Sequence, residues 1–194
     1  MHLYIHSKLS EVQIGSRLTM SNRKVRRILD KHKIKRRSIS EAISFLYITK
    51  FGKKPFRLRE NLTEKDQILK AAGAMLYWGE GAKSNGSVAF SNSDPSMVTL
   101  FLHFLRRVCG IQEGRLRITL HYYQDQDLEN LIAFWSKLTN VPRSHFYKSF
   151  LHMTGKKGTY KSRASYGTVS VQYSDKKLLT VILDWIREYQ KVLS

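Results

Sequence analysis

The chain has 194 residues, with 34 Lys and Arg against 15 Asp and Glu, for a formal charge of +19. At 42% hydrophobic and 11% aromatic it can bury a core, which excludes a disordered basic tail, and no apolar run approaches the roughly 18–20 residues of a membrane span. A folded chain this basic is expected to meet a polyanion, because each phosphate it neutralises releases condensed counterions.

The charge is uneven. Residues 1–60 carry 16 Lys and Arg against 4 acids, and the remainder 18 against 11. A small, intensely basic unit therefore precedes a larger one. In the first, Ser10 is placed to cap a helix over 11–18, with Gln13 completing a capping box. Thr19-Met20-Ser21 breaks that helix, and Ser21 caps a second over 22–32. Ile14, Leu18, Met20, Val25, Ile28 and Leu29 supply the expected apolar face, and Gly15 sits where two steeply crossed helices must approach. Asn22, Arg23, Lys24, Arg26 and Arg27 cluster at the start of the second helix, where a recognition helix meets bases and phosphates. Lys33, Lys35, Arg36 and Arg37 extend the basic run. The stretch SEVQIGSRLTMSNRKVRRIL resembles the short helix-turn-helix modules of resolvases and other mobile-element proteins, with Thr19 where that family usually has Gly. The resemblance implies a double-stranded DNA partner for residues 1–39. Residues 40–62 read as a basic linker, with a short helix over 40–51 and a break at Gly52-Lys53-Lys54-Pro55.

From residue 63 the pattern changes. Thr63 and Asp66 form a second capping signal, before a helix rich in small residues (Ala71, Ala72, Gly73, Ala74). It ends at a lone acid, Glu80, between Gly79 and Gly81. Residues 87–92 alternate as a strand with Val88 and Phe90 on one face. Asp94-Pro95 opens a helix over 95–108 that Gly110 closes. Cys109 lies among apolar neighbours there and reads as a small buried hydrophobe; His103 reads as a core histidine. One cysteine rules out a disulfide or a Cys-ligated zinc framework. Residues 115–123 alternate again, Arg115, Arg117, Thr119, His121 and Tyr123 on one face against Leu116, Ile118, Leu120 and Tyr122. A helix over 126–139, strands near 145–151 and 167–173 around the Lys-rich stretch 155–165, and a helix from Asp175 to about 191 complete the chain.

The nonapeptide GAMLYWGEG (73–81) resembles a divergent LAGLIDADG motif, with Glu80 at the metal-binding acid, and the order of elements over about 63–192 is similar to that family's fold. The resemblance implies an α+β domain over 63–194: a curved antiparallel sheet on DNA, backed by helices. It also implies that a single-motif chain works as a homodimer, each copy bringing Glu80, with Gly79 beside it, to Mg²⁺ at a scissile phosphate of double-stranded DNA. Ser91, Arg115, Arg117, Thr119 and His121 are the candidate sheet contacts to DNA. Lys148 is the candidate catalytic cation, and Lys156, Lys157, Lys161 and Arg163 are candidate backbone contacts. The seven histidines form no HExxH or HNH-like cluster. The expected activity is site-specific DNA cutting as a homing endonuclease, in the cytoplasm on the nucleoid. The alternatives are a non-catalytic transcription regulator and an intron maturase gripping RNA.

Overall fold

Ser10 and Ser21 start their helices as their positions predict. The Ser10 hydroxyl accepts from the Gln13 amide at 3.2 Å while the Gln13 side chain accepts from Ser10 N–H at 2.8 Å. A computed structural model of the chain describes residues 1–39, 41–42, 45–46, 54–84, 86–153 and 165–194. They fall into two units, Met1–Lys54 and Pro55–Ser194. The expected helix over 40–51 lies largely outside the described residues.

The first unit holds α1 (His2–Ile5), α2 (Glu11–Arg17) and α3 (Asn22–Lys31). Tyr4, Ile14, Val25 and Leu29 form its core, with Leu3, Leu9, Met20 and Ile34 against them. Gly15 is needed: a Cβ there would stand 2.7 Å from the Met20 carbonyl oxygen. Thr19 takes the left-handed conformation, φ 52°, that related turns give to Gly. The turn leaves Leu18 in solvent and carries Met20 inward, so Leu18 is not part of the apolar face. Arg37 is not a free basic extension. Its guanidinium donates to the carbonyls of Lys8, Tyr4 and Leu9 at 2.8–3.0 Å and lies 4.2 Å over the Tyr4 ring. It thereby ties the end of the unit back to α1.

The second unit is α+β, with a mixed sheet of β1 (Val88–Asn92), β2 (Arg117–Tyr123), β3 (Phe150–His152) and β4 (Thr168–Tyr173) in the order β1-β4-β2-β3. Its helices are α4 (Glu64–Glu80), α5 (Pro95–Arg107), α6 (Leu128–Thr139) and α7 (Lys176–Leu193). The sheet is not wholly antiparallel as expected: β4 pairs antiparallel with β1 and β2, but β3 runs parallel to β2. Residues 55–62, expected in the linker, join this unit. Arg57 N–H donates to Gly110 O and Arg59 N–H to Val108 O, each at 3.0 Å, and Phe56, Leu58 and Leu62 pack on the core.

Val88, Phe90, Ile118, Leu120, Val169, Val171 and Tyr173 form the buried sheet face, and α4, α5 and α7 all pack near β1. Cys109 is fully buried, and burial pushes its thiol well above the usual range. His103 is not in the core. It faces solvent, on the side of α5 opposite Val98, Leu102 and Leu105. No helix among the described residues is long and apolar enough to cross a membrane.

Asp66 anchors α4. Its carboxylate is fully buried, accepts from Thr63 O–H at 2.8 Å and N–H at 3.2 Å, and receives Arg107 at 2.8 and 3.1 Å, with Arg59 at 3.4 Å. The Thr63 hydroxyl, followed by the Thr63 amide and Arg107, holds this carboxyl below its ordinary value against the opposing effect of burial. A depressed folded pKa gives stability that is complete above the unfolded pKa and is lost as pH falls through the folded one. Thermal unfolding of wild type is therefore expected to fall more steeply below about pH 4 than that of Asp66→Asn. Parallel curves would contradict this role.

Candidate nucleic-acid interface

In the first unit the basic residues divide. Arg26 is drawn back to Glu11 on α2 at 2.6 Å, and the Asn22 side chain packs against α2 at Gly15. Arg23, Lys24 and Arg27 stand exposed at the start of α3, with no ion-pair partner among the described residues. On a helix they share one side, the arrangement by which a recognition helix meets phosphates and base edges.

In the second unit the sheet face away from the helices is polar. Strand register sets Ala89, Gln172 and Arg117 in one row, Ser91, Ser170 and Thr119 in the next, and Thr168, His121 and Phe150 in a third. Among the described residues no strand position is acidic. The expected contacts are only partly on this face. Ser91 is exposed and hydrogen-bonds to the Ser170 hydroxyl. Arg117 reaches the Gly114 and Leu116 carbonyls at 2.7 Å and lies 6.0 Å over the Tyr147 ring. Thr119 occupies the middle row but is 5% exposed, too covered to meet a base. Arg115 is not on the strand. It closes a 3₁₀ turn (Glu113–Arg115), pairs with Asp175 at 3.2 Å and donates to Ser174 O at 2.5 Å, locking the start of α7 to the end of β4. Lys156, Lys157, Lys161 and Arg163 lie outside the described residues.

Glu80 ends α4 exposed. Gly81 bridges antiparallel to Phe90, Ala82 N–H donates to Ala89 O at 2.9 Å, and the Tyr77 hydroxyl donates to Ala82 O. This bridge sets the end of α4, and with it Glu80, beside the edge strand β1. Gly81 has no room for a side chain, since a Cβ would stand 2.3 Å from the Tyr77 ring, whereas Gly79 has open space. The last turn of α4 holds no basic residue, and its carbonyl end adds its negative dipole to the Glu80 carboxylate. That combination favours a cation.

Mg²⁺ characteristically takes one or two carboxylates and completes its shell with water and phosphate oxygens, and a single exposed carboxylate fits that use. It does not fit an all-protein cage, because no cluster of three or more metal-ligating side chains occurs among the described residues. The structure does not bring Lys148 to Glu80. Lys148 is exposed next to β3, across the full width of the sheet, on the order of 15 Å or more away at the usual strand spacing.

The outward side of α4 was only partly foreseen. Gly73 and Ala74 are buried against the chain's own core rather than offered to a partner. The other side carries exposed Ile68 (64%), Trp78 (47%) and Gly79 with half-buried Ala71 and Ala72, and the charged Glu64 at its start. A second group missed by the sequence reading is a ladder of rings at the other edge. Phe150 stacks on His121 at 5.2 Å and His121 on His152 at 5.3 Å, with His121 Nδ1 3.0 Å from His152 Nε2. Burial, then the neighbouring His152, holds the His121 ring below the ordinary imidazole value. The alternating Phe150 and His152 were visible in sequence, but not the parallel register that sets them beside His121 and Tyr123.

Comparison of the chain with protein-family models, with curated proteins and with solved structures finds no match.

Proposed function

We propose that the chain is a site-specific DNA endonuclease that works as a homodimer, resembling the single-motif LAGLIDADG enzymes. The observation that carries this reading is α4, a helix with exposed Ile68 and Trp78 on its outward side that ends in an exposed Glu80 beside β1, the edge strand of an acid-free polar sheet face. Exposed Ile68 and Trp78 on the outward side of this helix are apolar surface that a partner can cover. A second copy against Ile68 and Trp78 supplies that cover and brings a second Glu80 beside the first. Each Glu80 would hold Mg²⁺ together with a DNA phosphate, and the ion when bound supplies a Lewis acid and lowers the pKa of a bound water. The polar sheet face lies along the duplex, while Arg23, Lys24 and Arg27 of α3 add contacts of their own.

The dimer has its own test. Ile68→Glu places a charge on the exposed outward side of α4, and it is expected to shift sedimentation from dimer to monomer at micromolar concentration with the circular dichroism unchanged. A wild-type monomer, or a dimer indifferent to the substitution, would remove this part of the reading. DNA recognition is tested by selection from a random duplex library. A two-fold symmetric site is expected, and enrichment of no sequence would contradict it. The second reading, a DNA-binding regulator that does not cut, is favoured by the first unit, which has its own core and a ten-residue helix with Arg23, Lys24 and Arg27 exposed at its start.

A further inference from the structure

Exposed aromatic rings on a polar sheet face are uncommon, because each ring left in water forgoes apolar burial. Phe150 is 55% exposed and Tyr147 54% exposed, both beside β2. The β2–β3 register puts Phe150 on the same face as His121, and Tyr147 N–H donates to Ile118 O at 2.8 Å, which turns its ring toward Arg117. The Phe150–His121–His152 rings follow one another at 5.2 and 5.3 Å with interplanar angles of 20° and 29°. Cross-strand ring pairs do stabilise a short edge strand, but that role is served by the faces in contact and not by those left open. Arg117 lies over the Tyr147 ring, exposed Lys148 follows Tyr147 in the chain, and the described strands contribute no carboxylate.

Flat open rings flanked by cations match the chemistry of unpaired nucleobases joined by phosphates, since every base has a π-face and sequence-tolerant stacking follows. Duplex DNA keeps its base faces inside the stack and offers only edges in the grooves. The geometry points to the β2–β3 edge as a binding site for single-stranded nucleic acid, in which unpaired bases stack on the exposed rings of Phe150 and Tyr147, with His121 supporting Phe150 from within the ladder. The site stands independently of cutting and of Glu80, which lies at the opposite edge of the sheet.

The full-length chain is tested at physiological salt by fluorescence anisotropy against labelled oligo(dT), oligo(U) and a mixed-sequence duplex. Single strands are expected to bind, and Phe150→Ala to weaken them by about 5- to 150-fold, the range of one lost base stack. Phe150→Tyr retains the ring and is expected to restore binding, while duplex affinity changes less than single-strand affinity in either variant. The oligo(dT) and oligo(U) arms separate DNA from RNA as the source of the bases; stronger binding of either meets the expectation. Photocrosslinking of wild type with 5-iodouracil-substituted strands is expected to label Phe150 or Tyr147, and does not depend on any variant folding. Crosslinks confined to residues 1–39, equal losses for single strand and duplex in Phe150→Ala, or a change of oligomeric state in that variant would each overturn the site.

Discussion

Gly73→Ala is expected to destabilise the second unit by about 2 kcal/mol, although alanine is the better helix former by roughly 1 kcal/mol. The added Cβ would lie 2.2 Å from Phe104 Cγ and 2.6 Å from its Cβ and Cδ2. Phe104 cannot yield freely. It is fully buried, with the Phe101 ring at 5.9 Å and the Trp185 ring at 6.0 Å. Overpacking of this kind costs typically about 1–3 kcal/mol, so the steric loss outweighs the gain in propensity. A loss of that size lowers the melting temperature of a unit this long by several degrees. Gly79→Ala is the internal control, because nothing stands within 4 Å of its Cβ position, and its melting temperature is expected to hold or rise. Equal melting of Gly73→Ala and wild type would mean that α4 and α5 are not packed as described.

What was legible in the sequence was mostly local. Ser10 with Gln13, Ser21, Thr63 with Asp66, Asp94 before Pro95, and Asp175 all cap the helices they precede, because a cap bonds to an amide two or three residues away. Strand alternation likewise placed Val88, Phe90, Ile118 and Leu120 in the core. Partners distant in sequence were not legible. Arg37 reads from the sequence as part of a basic extension and Arg115 as a DNA contact, yet each closes a structural bond to a residue about 28 to 60 positions away. The direction of β3 could not be read, since three residues carry no pattern that separates parallel from antiparallel pairing. His103 was legible and misread: on a helix with Val98, Leu102 and Leu105 inward, its position points outward.

The candidate site shows the same division. Glu80 with its two glycines was singled out from nine residues, but its neighbours come from a bridge to β1 that has no local signature. In the sequence the small residues of α4 form one group. The structure splits them, Gly73 and Ala74 serving the fold while Ala71, Ala72 and Gly79 lie on the outward side. Periodicity alone could have shown this, because Gly73 shares a side with Asp66 and Tyr77, whereas Gly79 falls with Ile68, Ala72 and Met75.

The central claim is that Glu80 serves a cutting reaction, and the most direct test is Mg²⁺-dependent cleavage of the insertion-free version of the gene's own locus by wild type and Glu80→Gln. Glutamine keeps the shape of an exposed side chain and removes only its charge, so fold and DNA binding should be retained. A carboxylate that holds a catalytic ion contributes to several kcal/mol of transition-state stabilisation, so its loss should slow cutting by at least about a hundred-fold. Double-strand cleavage by wild type that requires Mg²⁺ and disappears in Glu80→Gln at equal binding is the predicted result. Specific binding by both proteins with no cutting by wild type, or equal cutting by both, would contradict it.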